Sequence, residues 1–263
     1  MFTDNDLYSL ALVGESHFLN MRLALLVGRF LKMASHQSLH QATKIDLIVN
    51  AGGSSRRMGV DKALLPVPPR ETPLLRYIVE TLTGVGNGET IIVANDRTLS
   101  AQAGLAPVVR QVGDSYGNTG ALGGLATGLA CCRGWAMVVA CDMPLLNPRL
   151  FLALSALAEQ SENTRGDLWD AVVPVTDGHF QPLHALYHRR CLPAIEETLR
   201  RGDLRVMAFY DAVRVRTMSE MALRAVDPEL HSFFNVNTPE DWQTALGLLG
   251  RRARVESFSD PGG

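Results

Sequence analysis

The chain has 263 residues, of which 46% are hydrophobic and 20% charged, so it is long enough for one sizeable globular core. The formal net charge is -2 and the positive residues are scattered, which argues against a nucleic-acid backbone as a partner. Four cysteines without a C-x-x-C pair are too few for a disulfide scaffold and favour reduced thiols in the core.

The N-terminal segment, residues 1–44, lacks the strand and turn pattern of the rest of the chain. We predict an extension there, either disordered or helical. Its apolar stretch at 19–31 contains two arginines, whereas a membrane span needs about 20 largely uncharged residues. Aspartates stand where a signal peptide has basic residues, and no small-residue cleavage site follows. We therefore expect a cytoplasmic protein with no membrane partner.

From Ile45 onward, short apolar runs alternate with helical patterns, which is typical of βαβ units that build a parallel sheet. The predicted strands are residues 45–50, 89–94, 107–111, 136–140, 171–175, 180–187 and 213–217. The predicted helices are residues 73–83, 99–103, 121–133, 148–160 and 191–201, and a last helix capped by Thr238 with Pro239 in its first turn. We assign residues 45–250 to one α/β catalytic domain and residues 251–263 to a flexible tail.

The loop after the first strand has the composition of a phosphate-binding loop. Gly52 and Gly53 allow the backbone to approach a ligand and point its N–H groups at an anion. Arg56, Arg57 and Lys62 add positive charge, so a triphosphate explains both features, while an ordinary turn with solvated arginines is the alternative. The spacing matches neither a Walker A loop nor a dinucleotide-binding fingerprint.

A second candidate residue, Asp142, follows the predicted strand 136–140 by one residue and precedes Met143-Pro144. The proline prevents smooth helical continuation, so the carboxylate is presented at a strand end. Magnesium prefers oxygen ligands and completes its coordination with water and substrate phosphates, so one carboxylate can suffice. The alternative is a turn-forming or helix-capping aspartate.

Residues 51–62 read A-G-G-S-S-R-R-M-G-V-D-K. They resemble the signature A-G-G-x-x-x-R-M-G-x-D-K of sugar-nucleotide pyrophosphorylase-like transferases, and in detail that of the molybdenum cofactor guanylyltransferases. Four further motifs agree in order: Asp114 with G-A-L-G-G at 120–124, C-D-M-P at 141–144, Q-P-L-H-A-L-Y at 181–187 and F-N-V-N-T-P-E-D at 234–241. The resemblance implies a three-layer α/β fold with a mostly parallel central sheet, of the Rossmann-like nucleotide-diphospho-sugar transferase type.

The resemblance also implies an activity, in which GMP is transferred from GTP to the terminal phosphate of molybdopterin and pyrophosphate is released. Mg²⁺ is the implied cofactor, with Asp142 as its ligand and Lys62 and Asp142 as the catalytic residues. Molybdoenzyme apoproteins or their chaperones are the implied protein partners. The nucleotide site is expected to comprise Asn50, Ala51, Gly52, Gly53, Arg57, Lys62, Asn95, Asp114 and Asp142.

Within this set, Asn95 and Asp114 would help bind the guanine nucleotide. Asn50 departs from the family, which usually has an apolar residue at that position, and its amide either contacts the nucleobase or sugar or satisfies the loop. A related transferase that uses CTP, or a sugar phosphate as acceptor, is the alternative enzyme. A catalytically silent regulator would be expected to lack Lys62 or Asp142, and both are present.

Overall fold

The computed structural model describes residues 44–52, 61–117, 119–162 and 168–258. The predicted extension therefore lies outside the described residues, apart from Lys44, as do Gly53 and Arg57 of the first loop. The limits of the extension, the domain and the tail stay predictions.

Within the described part of the chain, an eight-stranded sheet has the order β10-β7-β9-β6-β1-β4-β5, with β8 paired to β7. Strand β1 is parallel to β4 and β6, β4 is parallel to β5, and β9 is antiparallel to β6 and β7. The strands of this sheet are β1 Ile45–Asn50, β4 Thr90–Val93, β5 Arg110–Val112, β6 Trp135–Ala140, β7 Ala171–Thr176, β8 His179–Phe180, β9 His184–His188 and β10 Val215–Met218. A separate antiparallel pair consists of β2 Pro66–Val67 and β3 Thr72–Pro73.

Helices cover both faces of the sheet. They are α1 Leu74–Leu82, α2 Leu99–Gln102, α3 Gly120–Cys131, α4 Pro148–Glu162, α5 Leu192–Arg200, α6 Glu220–Arg224 and α7 Pro239–Phe258. The hydroxyl of Thr238 accepts a hydrogen bond from the Asp241 N–H at 3.1 Å, which confirms the predicted cap of the last helix. None of the helices described here is long and apolar enough to cross a bilayer.

Two hydrophobic cores lie on opposite faces of the sheet. Successive residues of a strand point to opposite faces, so Leu47 and Val49 join one core while Ile48, between them, joins the other. The first core also contains side chains of α1, α4 and α7, and the second contains those of α3 and α5. The predicted three-layer α/β fold is confirmed.

The predicted strand at 107–111 is misplaced, because β5 begins only at Arg110. Pro107 has no N–H to donate to a strand ladder. The N–H of Val108 donates to the carbonyl of Leu105 at 2.8 Å, so this stretch forms a turn, and the Val108 side chain is 83% exposed. The three consecutive apolar residues at 107–109 thus led to a wrong strand prediction.

The predicted strand at 180–187 is two strands separated by a turn. β8 ends at Phe180, and the Gln181 N–H donates to the Pro174 carbonyl at 2.9 Å across the hairpin with β7. The His184 N–H then donates to the Gln181 carbonyl at 3.1 Å, which closes the turn before β9. Both β8 and β9 run antiparallel to β7, and the turn between them places residues 181–183 at the edge of the sheet where β6 ends.

The parallel strands bring their carboxyl ends to one edge. Asn50 at the end of β1 is paired with Ala140 of β6 on one side and with Val93 of β4 on the other. The segments that follow these strands are therefore neighbours, in the position where open α/β sheets bind ligands.

Candidate active site

The two residues predicted to be catalytic meet at this edge of the sheet. The Lys62 Nζ lies 3.8 Å from the Asp142 Oδ2, and the two side chains are 15% and 26% exposed. The Lys62 Nζ also donates a hydrogen bond of 3.0 Å to the Asn237 Oδ1. Lys62 and Asp142 thus form one partly shielded cluster, completed by a residue from the C-terminal part of the chain.

Local structure explains how Lys62 is directed to the site. It begins a 3₁₀ helix, Lys62–Leu64, that is capped by the Asp61 carboxylate, which accepts a hydrogen bond of 3.0 Å from the Ala63 N–H. The Ala63 side chain is fully buried in the core and anchors this turn. The backbone at Lys62 is therefore fixed while its side chain extends towards Asp142.

Asp142 is held by backbone hydrogen bonds on both sides. The Cys141 N–H donates to the Asn50 carbonyl at 3.2 Å, which continues the pairing of β6 with β1 by one residue. The Asp142 carbonyl accepts a hydrogen bond of 2.8 Å from the Val236 N–H. The carboxylate thus projects from a turn that is tied to the sheet and to the C-terminal segment.

The electrostatics of Asp142 fit a cation site. Burial raises the pKa of its carboxyl above the ordinary value, and the Lys62 ammonium acts in the opposite sense. The Asp142 Oδ1 is buried and has no hydrogen-bond partner among the described residues. A buried carboxylate oxygen without a donor is available to a hard divalent cation. In the described part of the chain, no group of three or more His, Cys, Asp or Glu side chains is arranged for a metal.

Asn50 connects the first loop to helix α3. Its side chain is 9% exposed, and its Nδ2 donates to the Ala121 carbonyl at 3.1 Å. Its Oδ1 accepts from the Gly52 N–H at 3.4 Å. Of the two roles considered for Asn50, the described contacts are those of a residue that satisfies the loop. The adjacent Ala51 N–H donates to the Val93 carbonyl at 2.9 Å, which fixes the start of the loop.

Two adjoining cavities share Asp142. The first, about 160 Å³, is lined by Asn50, Gly52, Gly120, Ala121, Ala140, Cys141, Asp142 and Leu183. The second, about 290 Å³, is lined by Ala140, Asp142, Met143, Gln181, Pro182, Leu183, Asn235 and Asn237. Since Ala140, Asp142 and Leu183 belong to both, the carboxylate stands at the junction of the two spaces.

Comparison with known proteins shows which family the chain belongs to. The model of the MobA-like NTP transferase domain matches residues 47–216. The chain belongs to the MobA-like NTP transferases. A probable molybdenum cofactor guanylyltransferase of Pelotomaculum thermopropionicum is 41% identical over 196 residues, which cover 74% of this chain and 88% of that protein. A molybdenum cofactor guanylyltransferase of Desulfosudis oleivorans is 36% identical over 205 residues, covering 77% and 94%.

A solved structure supports the fold of this MobA-like chain. Molybdopterin-guanine dinucleotide biosynthesis protein A from Archaeoglobus fulgidus superposes with a TM-score of 0.65 at 24% identity, and the alignment covers 79% of this chain and all of that one. The resemblance inferred from the five sequence motifs is confirmed by the family match and by these relatives.

The two residues predicted to bind guanine contact each other, and one of them, Asp114, contacts helix α3. The Asn95 Oδ1 accepts a hydrogen bond of 3.0 Å from the Asp114 N–H, so the two residues are neighbours. The Asp114 Oδ1 accepts from the Tyr116 N–H at 2.9 Å and from the Thr127 hydroxyl at 3.2 Å. Neither Asn95 nor Asp114 lines the two cavities at Asp142. Their role in this MobA-like site stays a prediction.

Sequence reasoning assigned no role to Asn235 and Asn237, although it singled out their motif. Val236 between them is fully buried, and alternation along an extended segment turns both asparagines away from the core. Both line the second cavity of the MobA-like site. The sequence signal that could have identified them is an apolar residue between two asparagines, directly before the start of a helix.

The close packing of Asn50 against α3 predicts an effect at Gly124. A Cβ there would lie 2.5 Å from both the Nδ2 and the Oδ1 of Asn50. We expect Gly124→Ala to lower the free energy of unfolding, because overpacking strain of about 1–3 kcal/mol exceeds the helix-propensity gain of about 1 kcal/mol. Urea denaturation of the purified variant measures the change.

Two variants serve as controls for this prediction. Gly134 has nothing within 4 Å of an added Cβ, so Gly134→Ala should shift the unfolding free energy by no more than about 0.5 kcal/mol. In the Asn50→Ala background the clash disappears, and Gly124→Ala should no longer destabilise. Equal destabilisation with and without Asn50 would contradict this account of the packing.

Proposed function

We propose that this chain transfers GMP from GTP to the terminal phosphate of molybdopterin and releases pyrophosphate. The observation that carries the proposal is the position of Asp142 at the junction of two cavities, with Lys62 beside it. A transfer between two phosphate-bearing substrates requires them to meet with the acceptor oxygen in line with the leaving group. Membership of the MobA-like family, and relatives named molybdenum cofactor guanylyltransferases, support this choice of substrates.

The first cavity suits the nucleotide. Its lining includes Asn50 and Gly52 of the first loop and Gly120 and Ala121 at the start of α3, and the two glycines carry no side chain that would fill it. N–H groups at a helix start stabilise phosphate charge, and Gly120 and Ala121 begin α3. We assign the α-phosphate to this space, and we extend the nucleotide site to Gly53, Arg57, Asn95 and Asp114 as part of the proposal.

The second cavity suits the acceptor. Three amide side chains line it, those of Gln181, Asn235 and Asn237. Amides offer both donors and acceptors without net charge, which matches the mixed hydrogen-bonding edge of a pterin. An acceptor in this space would meet a nucleotide in the first cavity at Asp142, which lines both cavities.

Magnesium fits the unpartnered oxygen of Asp142, and we propose it as the cofactor. When bound, the ion supplies positive charge that offsets the phosphate charge during transfer. Lys62 directs its ammonium group at the same place and stabilises charge on the departing pyrophosphate. The acceptor phosphate oxygen forms the new bond to the α-phosphorus while the bond to pyrophosphate breaks, so no side-chain nucleophile is needed.

The test measures pyrophosphate release from each of the four nucleoside triphosphates with molybdopterin as acceptor. We expect pyrophosphate release with GTP and magnesium. Release should stop when EDTA removes the metal and should return when magnesium is restored. Turnover with CTP alone, or with a sugar phosphate in place of molybdopterin, would select one of the alternative transferases. Undiminished turnover in EDTA would refute the metal requirement.

Two predictions remain part of this proposal. One is a cytoplasmic location, and the other is that molybdoenzyme apoproteins or their chaperones are protein partners. A pull-down with the tagged chain tests the second of these.

A further inference from the structure

Asn237 joins two hydrogen-bond networks. Its side-chain Oδ1 accepts from the Lys62 Nζ at 3.0 Å. Its backbone N–H donates to the Asp241 Oδ2 at 2.8 Å. A single residue therefore links the ammonium group beside Asp142 to the first turn of helix α7.

Asp241 is itself held by reciprocal capping of that helix. Its Oδ2 also accepts from the Thr238 N–H at 2.9 Å, and its own N–H donates to the Thr238 hydroxyl at 3.1 Å. The backbone N–H groups of Asn237 and Thr238 lower the pKa of the Asp241 carboxyl, so it is ionised at neutral pH. Hydrogen bonds to an ionised acceptor are stronger than neutral ones, so this carboxylate fixes the backbone in front of the helix.

The residue before Asn237 is fixed as well. The Val236 side chain is fully buried, and its N–H donates to the Asp142 carbonyl at 2.8 Å. The backbone at Asn237 is thus held from one side by the turn that carries Asp142 and from the other by Asp241. The amide oxygen of Asn237 is presented to Lys62 in a defined position.

We propose that Asp241 is a positioning residue, whose carboxylate holds Asn237 so that the Lys62 ammonium stays beside Asp142. Asp241 lines neither cavity of the site, so it acts through Asn237 rather than on a substrate. Asp241 is the last residue of the motif at 234–241, for which the resemblance implied no role. The inference rests on the proposed function in one respect, the action of Lys62 during nucleotidyl transfer.

A matched pair of variants separates positioning from helix stability. Asp241→Ala and Thr238→Val both remove one partner of the capping pair, but only Asp241→Ala removes the acceptor of the Asn237 N–H. We expect Asp241→Ala to lower kcat about 10-fold, the effect of losing a hydrogen bond to a charged group, with a smaller change in KM for GTP. Thr238→Val should keep kcat near the wild-type value, and Asp241→Asn, which retains an acceptor oxygen, should fall between the two.

A second readout does not depend on activity. The Lys62 side chain is 15% exposed, so its acetylation by an N-hydroxysuccinimide ester, followed by mass spectrometry, reports how firmly it is held. We expect faster acetylation of Lys62 in Asp241→Ala than in the wild type or Thr238→Val. In the Asn237→Ala background, Asp241→Ala should add little to either effect, because the connecting residue is already gone.

The outcomes separate the two proposals. Equal kcat and equal acetylation rates in Asp241→Ala and Thr238→Val would overturn the positioning role. A wild-type chain that transfers no GMP would overturn the proposed function, while the acetylation rates would still decide whether Asp241 positions Lys62.

Discussion

Asp142→Asn is expected to lower kcat for GMP transfer by roughly 10²–10³-fold, the loss typical of removing one preorganised electrostatic group. The amide keeps the shape of the side chain but removes the charge whose Oδ1 has no donor among the described residues. Steady-state pyrophosphate release at saturating GTP and magnesium measures the effect. A turn-forming aspartate without a catalytic role would show near-normal kcat instead.

The same variant should not be less stable than the wild type. Burial raises the pKa of the Asp142 carboxyl, so at neutral pH the folded state holds a carboxylate that is better solvated in the unfolded chain. Removing the charge relieves that cost, and we expect an equal or slightly higher Tm in metal-free buffer. Asp211→Asn, at an exposed aspartate of the 3₁₀ helix Tyr210–Ala212, is the matched control for loss of one charge. Lower activity together with a collapsed Tm would mean that Asp142 is structural.

Lys62→Met is expected to lower kcat/KM for GTP by roughly 10²-fold, because the variant keeps the length of the side chain and loses the charge that we propose stabilises the triphosphate. Lys62→Arg should restore little activity. The ammonium is partly shielded and lies 3.0 Å from the Asn237 Oδ1, and a broad planar guanidinium does not replace a compact ammonium in that space. Initial rates at subsaturating GTP give the ratio directly.

Arg76→Met is the control for loss of a positive charge from this chain. Arg76 forms an exposed ion pair with Glu80 on α1, and such pairs contribute little to stability. The kcat/KM of Arg76→Met for GTP should equal that of the wild type. Comparable losses in Lys62→Met and Arg76→Met would show that net charge, rather than the place of Lys62, governs GTP use.

The sequence was sufficient to predict the sheet edge and the residues that lie there. Strand β1 has the predicted bounds, because an apolar run that ends in Asn50-Ala51-Gly52 leaves little freedom for its last residue. Asp142 stands one residue beyond the end of β6, and the rule that parallel strands share an edge brings it near the first loop. The expectation that Lys62 joins Asp142 came from the family resemblance as well, because Lys62 stands twelve residues after the end of β1.

Contacts across the chain could not be predicted in this way. The hydrogen bond between Lys62 and Asn237 joins residues 175 positions apart, and it depends on how α7 packs on the sheet. The turn at Gln181 was missed because the residues on either side alternate like one strand, while the interruption depends on a hydrogen bond to Pro174 on another strand. The periodicity of apolar residues indicates local secondary structure, whereas these two features depend on contacts with distant parts of the chain.

The separation of Lys62 and Asn237 also has a consequence during protein synthesis. The ribosome releases β1 and Lys62 early, whereas Asn237 and the start of α7 emerge only when most of the chain has been translated. A nascent chain stalled before that point would contain the first loop and Asp142 but would lack Asn237, one of the residues that contact Lys62. We therefore expect a chain truncated before residue 237 to transfer GMP more slowly than the full chain, because Lys62 would lack this hydrogen bond.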